Sequence, residues 1–187
     1  MATILNISIN DLSNQFIQDL RANFDTKAKV EIRVQENNHG KNLFSEAQFW
    51  NIIEQLDWSK KEYKAIITPA VLALSQMPMP CIYLFKDYLS EKLYRLDTRQ
   101  HATVFLKKEE EDFLSADDFL YVRCAVVAEG KVFYQKILEK ASEMPSGIAF
   151  EPLLSIANEA YKIKMNKNLE YSPTYNCETK SNKAAWL

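Results

Sequence analysis

The sequence predicts an α+β fold that is predominantly α-helical, with a helical body and a small N-terminal strand-helix-strand unit. Hydrophobic residues alternate with polar ones in two short segments before position 36, which is typical of half-buried strands. From Leu43 to Met165 they recur instead at three- and four-residue spacing, which is typical of amphipathic helices. After Asn166 neither period continues, which predicts a loosely ordered tail. The predicted divisions are therefore residues 1–36, 43–165 and 166–187.

The N-terminal unit is predicted to consist of two strands, Thr3 to Ile9 and Lys29 to Gln35, around one helix with a stripe from Leu12 to Phe24. A two-stranded sheet of this size leaves its strand edges open and needs cover from elsewhere. Two interpretations follow. The unit packs on the helical body as an appendage, or its open edge pairs with a partner or a second copy, giving a homodimer through the N-terminal strand edge.

The helical body begins at Ser45, which forms an S-x-x-Q capping box with Gln48. Pro69 lies inside the second helix and is expected to kink or restart it. The helical pattern weakens after Asp97 and breaks at the charged run that ends at Asp112. The predicted helices of the body are Ser45 to Leu56, Lys60 to Gln76, Ile82 to Leu96, Ser115 to Ala128, Lys131 to Ala141 and Glu151 to Met165.

Local signals predict where several of these helices begin and end. Thr68 could cap the part of the second helix that follows Pro69. The helix Ile82 to Leu96 has the clearest apolar stripe of the chain. Ser115 is expected to cap the next helix, and Gly130 is expected to follow that helix with a positive φ.

Composition limits the classes of protein to which this chain can belong. Among its 187 residues, 47% are hydrophobic and 26% charged, the balance of a folded globule. A net charge of -2 makes nucleic acid an unlikely partner. The longest apolar runs fall short of the roughly 18 residues that a membrane span requires, so no membrane association is expected. Three widely spaced cysteines suit a reducing compartment, which predicts a cytoplasmic protein.

Motifs that bind cofactors or metals were not found in the sequence. Only three glycines occur, whereas a Gly-rich phosphate loop needs several at fixed short spacings. His39 and His101 lack a second ligand at metal-binding spacing. The sequence therefore predicts no cofactor, no metal and no catalytic residue.

Arg123 is the first candidate binding residue, because a helical projection places it inside the apolar arc of its helix. Burying an unpaired guanidinium is costly, so the residue is expected to meet a carboxylate or an anion. Three interpretations are open: an internal ion pair with Asp57, Glu54 or Asp87, a ligand-facing role, or a side chain that extends to solvent.

Trp50, Glu54, Asp57 and Trp58 form a second candidate group. Aromatic surface next to two carboxylates could line a pocket for a cationic or peptide ligand. The alternative is a helix-packing edge with satisfied acids. Carboxylates three positions apart could also act as an acid/base pair, although this requires a cleft and a partner group.

A dispersed set of aromatic and small residues runs through the helical body. These residues are Phe49-Trp50, Leu56-Asp57-Trp58, Glu91-Lys92-Leu93-Tyr94, Ser115 to Arg123, Gly130, Tyr134 and Glu159-Ala160-Tyr161. The set resembles a bacterial domain of unknown function that is catalogued as number 4240. The resemblance covers about Leu43 to Met165 and implies a shared fold without an activity to transfer. The N-terminal unit lies outside it and looks weakly like small modules of some bacterial antitoxins.

The functional expectation combines the absence of catalytic motifs with an uncovered sheet edge. The sequence favours a non-enzymatic protein-interaction or accessory protein of a bacterium, similar to an immunity protein or an antitoxin. The alternative is a small-molecule binder or enzyme that uses a pocket near Arg123, Trp50 and Asp57.

Overall fold

The computed structural model describes residues 12–25, 27, 28, 30 and 43–187. The chain divides into two compact units, Met1–Lys41 and Asn42–Leu187. Regular structure in the described residues consists of α-helices and short 3-10 helices. The α-helices are α1 (Asn14–Asn23), α2 (Glu46–Ile53), α3 (Tyr63–Gln76), α4 (Met79–Leu96), α5 (Arg99–Glu109), α6 (Ala116–Ala128), α7 (Lys131–Glu139) and α8 (Ile156–Met165). The 3-10 helices are Ala141–Glu143, Glu151–Ser155 and Lys183–Ala185.

The described residues contain no strand, so the prediction of an α+β fold with an N-terminal strand-helix-strand unit is wrong. The helix of that unit is present as α1, where the Ser13 hydroxyl accepts a hydrogen bond from the Phe16 amide at 3.1 Å. The predicted strand segments 3–9 and 31–35 lie outside the described residues, and Val30 has no regular structure. Alternation over a few residues defines two faces, but a strand also requires a backbone partner, which the alternation does not supply.

The predicted start of the helical body is confirmed. Ser45 and Gln48 form the capping box of α2, with the Ser45 amide donating to Gln48 Oε1 at 2.8 Å. In α3 the helix continues through Pro69 and does not restart there. The Thr68 hydroxyl donates to the Lys64 carbonyl at 2.6 Å, so Thr68 does not cap a second helix.

Helix α5 occupies the stretch where the sequence pattern weakens. Thr98 caps it by accepting a hydrogen bond from the His101 amide at 3.2 Å. It ends at Glu110, which has a left-handed backbone with φ of 58°. A strong N-cap therefore compensates for an incomplete apolar stripe.

Helix α6 lies at the centre of the body and is capped by Ser115, as predicted. Almost all of its residues from Phe119 onward are buried, so it lacks the polar face of a surface helix. The backbone after it turns at Gly130, where φ is 97°, a conformation that glycine adopts without strain.

Within the second unit, α4, α7 and the 3-10 helix Glu151–Ser155 pack directly against α6. Helix α4 packs against α6 and α8, α3 packs against α8, and α7 follows α6 directly and packs against it. The core is a single cluster to which all the α-helices of the second unit contribute. Within the described part of the chain, the helices are too short or too polar to cross a lipid bilayer.

Candidate functional site

Arg123 is completely buried in α6 and donates hydrogen bonds to uncharged acceptors. Its Nε donates to the Phe119 carbonyl at 3.1 Å. Nη1 donates to the carbonyls of Leu93 at 2.9 Å and Cys177 at 3.1 Å, and Nη2 donates to Thr179 Oγ1 at 2.9 Å. The guanidinium also lies 4.8 Å from the centroid of the Phe119 ring, within range of a cation-π interaction.

The predicted burial of Arg123 is confirmed, whereas the expected ion pair with Asp57, Glu54 or Asp87 is absent. The ion pairs among the described residues do not include Arg123. Burial lowers the pKa of the guanidinium, and the nearby charge of Asp97 opposes this effect. Arg123 is thus held by dipoles of the chain itself, with its donors directed at the protein interior.

Asp97 follows the last residue of α4 and, like Arg123, is a fully buried charge. Its Oδ1 accepts hydrogen bonds from the Lys180 amide and from Trp186 Nε1, both at 3.0 Å. Its Oδ2 accepts from the Asn182 amide at 3.0 Å and lies 3.3 Å from the Ser181 hydroxyl, whose single proton is shared with the closer Asn176 carbonyl at 2.5 Å. These donors neutralise the carboxylate with dipoles, in the way that N-terminal amides hold an anion.

The end of α4 explains why Arg123 and the C-terminal segment meet there. The last carbonyls of a helix lack partners within that helix. Arg123 supplies a donor to the Leu93 carbonyl, and Asn182 Nδ2 donates to the Tyr94 carbonyl at 3.2 Å. Asp97, Arg123 and the segment Cys177–Trp186 that bonds to them are called the C-terminal latch below.

The prediction of a loosely ordered tail at residues 166–187 is corrected by these contacts. The segment belongs to the same compact unit as the helical body. Further hydrogen bonds hold its beginning, with the Tyr171 hydroxyl donating to Asp87 at 2.5 Å and the Thr174 amide donating to the same carboxylate at 2.9 Å. A periodic apolar face is absent, but backbone amides and polar side chains order the segment instead.

Two adjacent clefts open beside the C-terminal latch. The first has a volume of about 540 Å³ and lies between α5, the α5–α6 connection and the latch residues Lys180 and Trp186. The second has a volume of about 420 Å³ and lies between α5, the start of α6 and residues 147–149. Leu106 and Phe113 line both clefts, so the two form one continuous surface.

The charges of the two clefts differ. The second cleft is lined by Glu109, Glu111 and Asp118 and by no lysine or arginine. The first is lined by two cations, Arg99 and Lys180, and by one acid, Asp112. The ion pairs of the described residues include none of these six groups. Their charges therefore remain available to another molecule.

Phe113 separates the two clefts and is 81% exposed. The connection that carries it is anchored on both sides. The Glu111 amide donates to the Leu106 carbonyl at 3.2 Å, and the neighbouring Leu114 packs against the core. Ile148, across the second cleft, is a further exposed hydrophobic residue. An exposed aromatic side chain on an anchored loop is a common feature of binding surfaces.

Trp50 belongs to a different cluster, in which the buried Lys92 is the central residue. Lys92 Nζ lies 2.9 Å from Glu46 Oε1, and about equally far from the ring centroids of Tyr88 at 5.7 Å and Tyr134 at 5.9 Å. Trp50 Nε1 donates to the same Glu46 oxygen at 3.2 Å. The Lys92 hydrogen bond lowers the pKa of Glu46. This cluster fastens the start of α2 to α4 and α7.

Tyr134 has a buried hydroxyl without a hydrogen-bond partner in the described part of the protein. Burial raises the pKa of this phenol, and the nearby guanidinium of Arg95, which is outside ordinary hydrogen-bond geometry, opposes this effect. Trp50, Glu91, Lys92 and Tyr134 all belong to the segments that carry the family resemblance, and the fold brings them together. A buried hydroxyl without a hydrogen-bond partner lowers the free energy of unfolding, because the group loses its bonds to water when the chain folds.

The four residues of the predicted second candidate group do not converge. Trp50 packs against Tyr134, with ring centroids 5.4 Å apart, while Trp58 packs against Phe150 at 4.9 Å. Glu54 is an exposed residue at the end of α2. Neither of the two clefts is lined by any residue of the group.

The side chain of Asp57 contacts only residues that follow it in its loop, Ser59 and Lys60, among the hydrogen bonds and ion pairs of the described residues. Its Oδ1 accepts hydrogen bonds from the amide of Ser59 at 3.1 Å and from the hydroxyl of that residue at 2.6 Å. Lys60 lies 3.7 Å from the other oxygen. The hydroxyl of Ser59 is the main cause of the lowered pKa of this carboxyl. Its contacts are those of a turn residue.

Sequence reasoning missed Lys92, Asp97 and the surface around Phe113. Lys92 could have been found by the helical projection that identified Arg123, since it lies three residues after Leu89 and four before Leu96 on the same apolar arc. Asp97 has no such signal, because an acid directly after a helix is common. No pattern in the sequence indicates that Phe113 is exposed to solvent.

His101 lies on the buried face of α5, and both of its ring nitrogens have partners. Nε2 lies 3.0 Å from the Ile137 carbonyl, to which it can only donate, and Nδ1 lies 2.7 Å from Thr98 Oγ1. This arrangement is that of a neutral imidazole with its proton on Nε2. Burial lowers the pKa of His101, and the charge of Arg123 acts in the same direction.

Comparison with known proteins gives one match. No curated protein and no solved structure is similar enough to the chain to count as a match. A family model described as a protein of unknown function (DUF4240) matches residues 44–163, well over half of the chain. The match covers α2 to α7 and nearly all of α8, and it confirms the resemblance derived from the aromatic and small residues. The chain therefore belongs to the DUF4240 family.

Proposed function

We propose that this chain is a protein-interaction domain that binds a basic segment of a partner protein in the second cleft, with Phe113 as the central contact. The observation that carries the proposal is the combination of three carboxylates with no cation along a cleft whose rim is an exposed phenylalanine. The proposal retains the interaction role expected from the sequence and moves it to a different surface.

Charge complementarity supports a basic partner segment. Glu109, Glu111 and Asp118 line the same cleft and are not part of an ion pair among the described residues. Glu109 Oε1 already accepts a hydrogen bond from the Gly147 amide at 2.6 Å, which fixes the position of that carboxylate. A lysine or arginine of a partner would meet carboxylates and no like charge along this cleft. Such complementarity speeds association and favours cationic partners.

Apolar contact supports an anchor residue next to the basic ones. Burying the side chain of Phe113 removes its exposed surface from water and is worth about 1.5–3 kcal/mol. Ile148 and Leu106 extend the apolar area on the same surface. Aromatic residues at the centre of an interface often carry most of its binding energy, with charged residues around them.

The test is selection of binders from a library of displayed random peptides, followed by affinity measurement on the full chain. We expect the selected peptides to combine lysine or arginine with an aliphatic or aromatic residue. Phe113→Ala should weaken their binding at least about tenfold, which corresponds to about 1.4 kcal/mol. Glu111→Gln combined with Asp118→Gln should weaken binding and reduce its dependence on salt.

Val132→Ala is the matched control, because Val132 is 83% exposed and lines neither cleft. This variant should bind the selected peptides like the wild type. Selection of peptides without basic residues, binding that is insensitive to Phe113→Ala, or failure to enrich any peptide would each overturn the proposal. Far-UV circular dichroism of all variants verifies that the exposed substitutions leave the fold intact.

A further inference from the structure

We propose that the first cleft is a carboxylate-binding site, and that Arg99 and Lys180 bind a carboxylate of the partner segment whose basic residues occupy the second cleft. The identity of the molecule that carries the carboxylate rests on the proposed function, whereas the existence of the site does not.

Arg99 lies at a position where no neighbouring acidic residue of its helix balances its positive charge. It is the first residue of α5, and the first turn of this helix contains no acidic residue. The positive end of the helix dipole therefore adds to the charge of Arg99 instead of being balanced by it. Arg99 is exposed, lines the first cleft and belongs to none of the ion pairs of the described residues.

Lys180 is presented by the C-terminal latch in an uncommon backbone conformation. Its φ of 68° lies in the left-handed region, which side-chain-bearing residues seldom adopt. Its amide donates to Asp97 at 3.0 Å, which holds the backbone in this conformation. The Lys180 ammonium lies 5.7 Å from the ring centroid of Trp186, within range of a cation-π interaction, and Trp186 lines the same cleft.

The first cleft can receive a flat anionic group. Leu106, Phe113 and Trp186 provide apolar walls, and Arg99 and Lys180 provide the cations. Asp112 is an acid of the same cleft and reduces the formal charge of its lining to +1. Asp112 does not neutralise either cation directly, because neither forms an ion pair with it. A carboxylate suits this site because a guanidinium can bind it through two parallel hydrogen bonds.

The two clefts therefore have opposite polarity on either side of Phe113. A partner segment that crosses Phe113 would place basic residues among the carboxylates of the second cleft and an acidic group between Arg99 and Lys180. The acidic group is either a glutamate or aspartate side chain or the terminal carboxylate of the partner chain. The reverse orientation would pair like charges in both clefts and is disfavoured.

The first arm of the test needs no peptide. N-acetylglycine, which carries a carboxylate, and its neutral amide are titrated into the full chain and followed by NMR at the amides of α5 and the Trp186 indole. We expect saturable shifts with the acid only. Arg99→Gln and Lys180→Gln should each weaken this binding about threefold, the effect typical of an exposed charge pair. Lys107→Gln, on the same helix and outside both clefts, is the control and should bind like the wild type.

The second arm uses the selected basic peptides, each made with a free carboxyl end, with an amidated end, and with internal glutamate replaced by glutamine. If amidation alone weakens binding, the source is the chain terminus; if the glutamine replacement does so, it is a side chain. Either difference should vanish in Arg99→Gln. Equal shifts from N-acetylglycine and its amide would overturn the carboxylate site. Peptides that bind through Phe113 regardless of their carboxylates would overturn the inference while leaving the proposed function intact.

Discussion

Replacement of Asp97 by asparagine tests whether the C-terminal latch holds the protein together. The substitution keeps the shape of the side chain and therefore opens no cavity. One carboxylate oxygen becomes an amide nitrogen, which cannot accept the two hydrogen bonds that this oxygen receives now. The new amide group would also point its hydrogens at the donors of the C-terminal segment.

The expected cost follows from the lost bonds. Hydrogen bonds to charged groups contribute about 1.5–3 kcal/mol each, so two of them amount to about 3–6 kcal/mol. Removing a fully buried charge offsets part of this, because the carboxylate no longer has to be desolvated. We therefore expect Asp97→Asn to lower the free energy of unfolding by about 2–4 kcal/mol. For a chain of this size this corresponds to a decrease in Tm of about 5–15 °C.

Urea denaturation followed by circular dichroism measures the effect, and a double-mutant cycle identifies its origin. The second variant ends at Tyr175 and so lacks every residue that bonds to Asp97. In that shortened chain the Asp97→Asn substitution should cost almost nothing, because the partners of the carboxylate are already gone. An equal cost in the full and shortened chains, or a full-length variant as stable as the wild type, would refute the latch.

Three further outcomes are expected. Tyr134→Phe removes a buried hydroxyl that has no hydrogen-bond partner among the described residues. This variant should raise the free energy of unfolding in urea by about 1–3 kcal/mol. A lower free energy of unfolding would show that the hydroxyl is hydrogen-bonded in the folded protein. Arg123→Met leaves several carbonyls without a donor and should cost at least about 2 kcal/mol in the same assay, whereas a nearly neutral effect would mean that the latch does not depend on this residue. The third outcome concerns pH. Because the pKa of His101 is lowered in the folded protein, the unfolded chain binds a proton at a higher pH than the folded chain does. The contribution of His101 to the free energy of unfolding is therefore fully present above about pH 6.5 and decreases as the pH falls below that value. His101→Gln should flatten this dependence in thermal melts between pH 7 and 5, and an unchanged slope would contradict the assignment of a neutral histidine.

Sequence patterns predicted those features of the helical body that depend on interactions between residues close together in the chain. Capping by Ser45 and Ser115, the apolar stripe of α4 and the positive φ after α6 at Gly130 were all predicted correctly. Each depends on residues within one or two turns of each other, so the local sequence contains the full signal. The same local logic placed Arg123 in the interior, because a helical projection needs only the residues of one helix.

The α+β fold class was predicted from the same kind of local pattern, and it is wrong for the described residues, which contain no strand; apart from Val30, the segments 3–9 and 29–35 lie outside them. Alternation of Leu5, Ile7 and Ile9 assigns faces, but a strand forms only when another segment supplies its hydrogen bonds. The described residues consist of helices and connections, with α1 as the helix of the first unit. Period-2 patterns of five to seven residues are therefore weaker evidence than helical stripes of four or five turns.

The candidate site depended on contacts that the sequence does not encode locally. Asp97 receives its hydrogen bonds from Lys180, Asn182 and Trp186, which follow it by 83 to 89 positions. The sequence by itself placed Arg123 inside the apolar arc of its helix, where a buried guanidinium would need acceptors. Only the tertiary structure decided that these acceptors are carbonyls and a threonine rather than a carboxylate. The physical reason is that any set of well-oriented dipoles can stabilise a buried charge, and the chain brings this set together only when it folds.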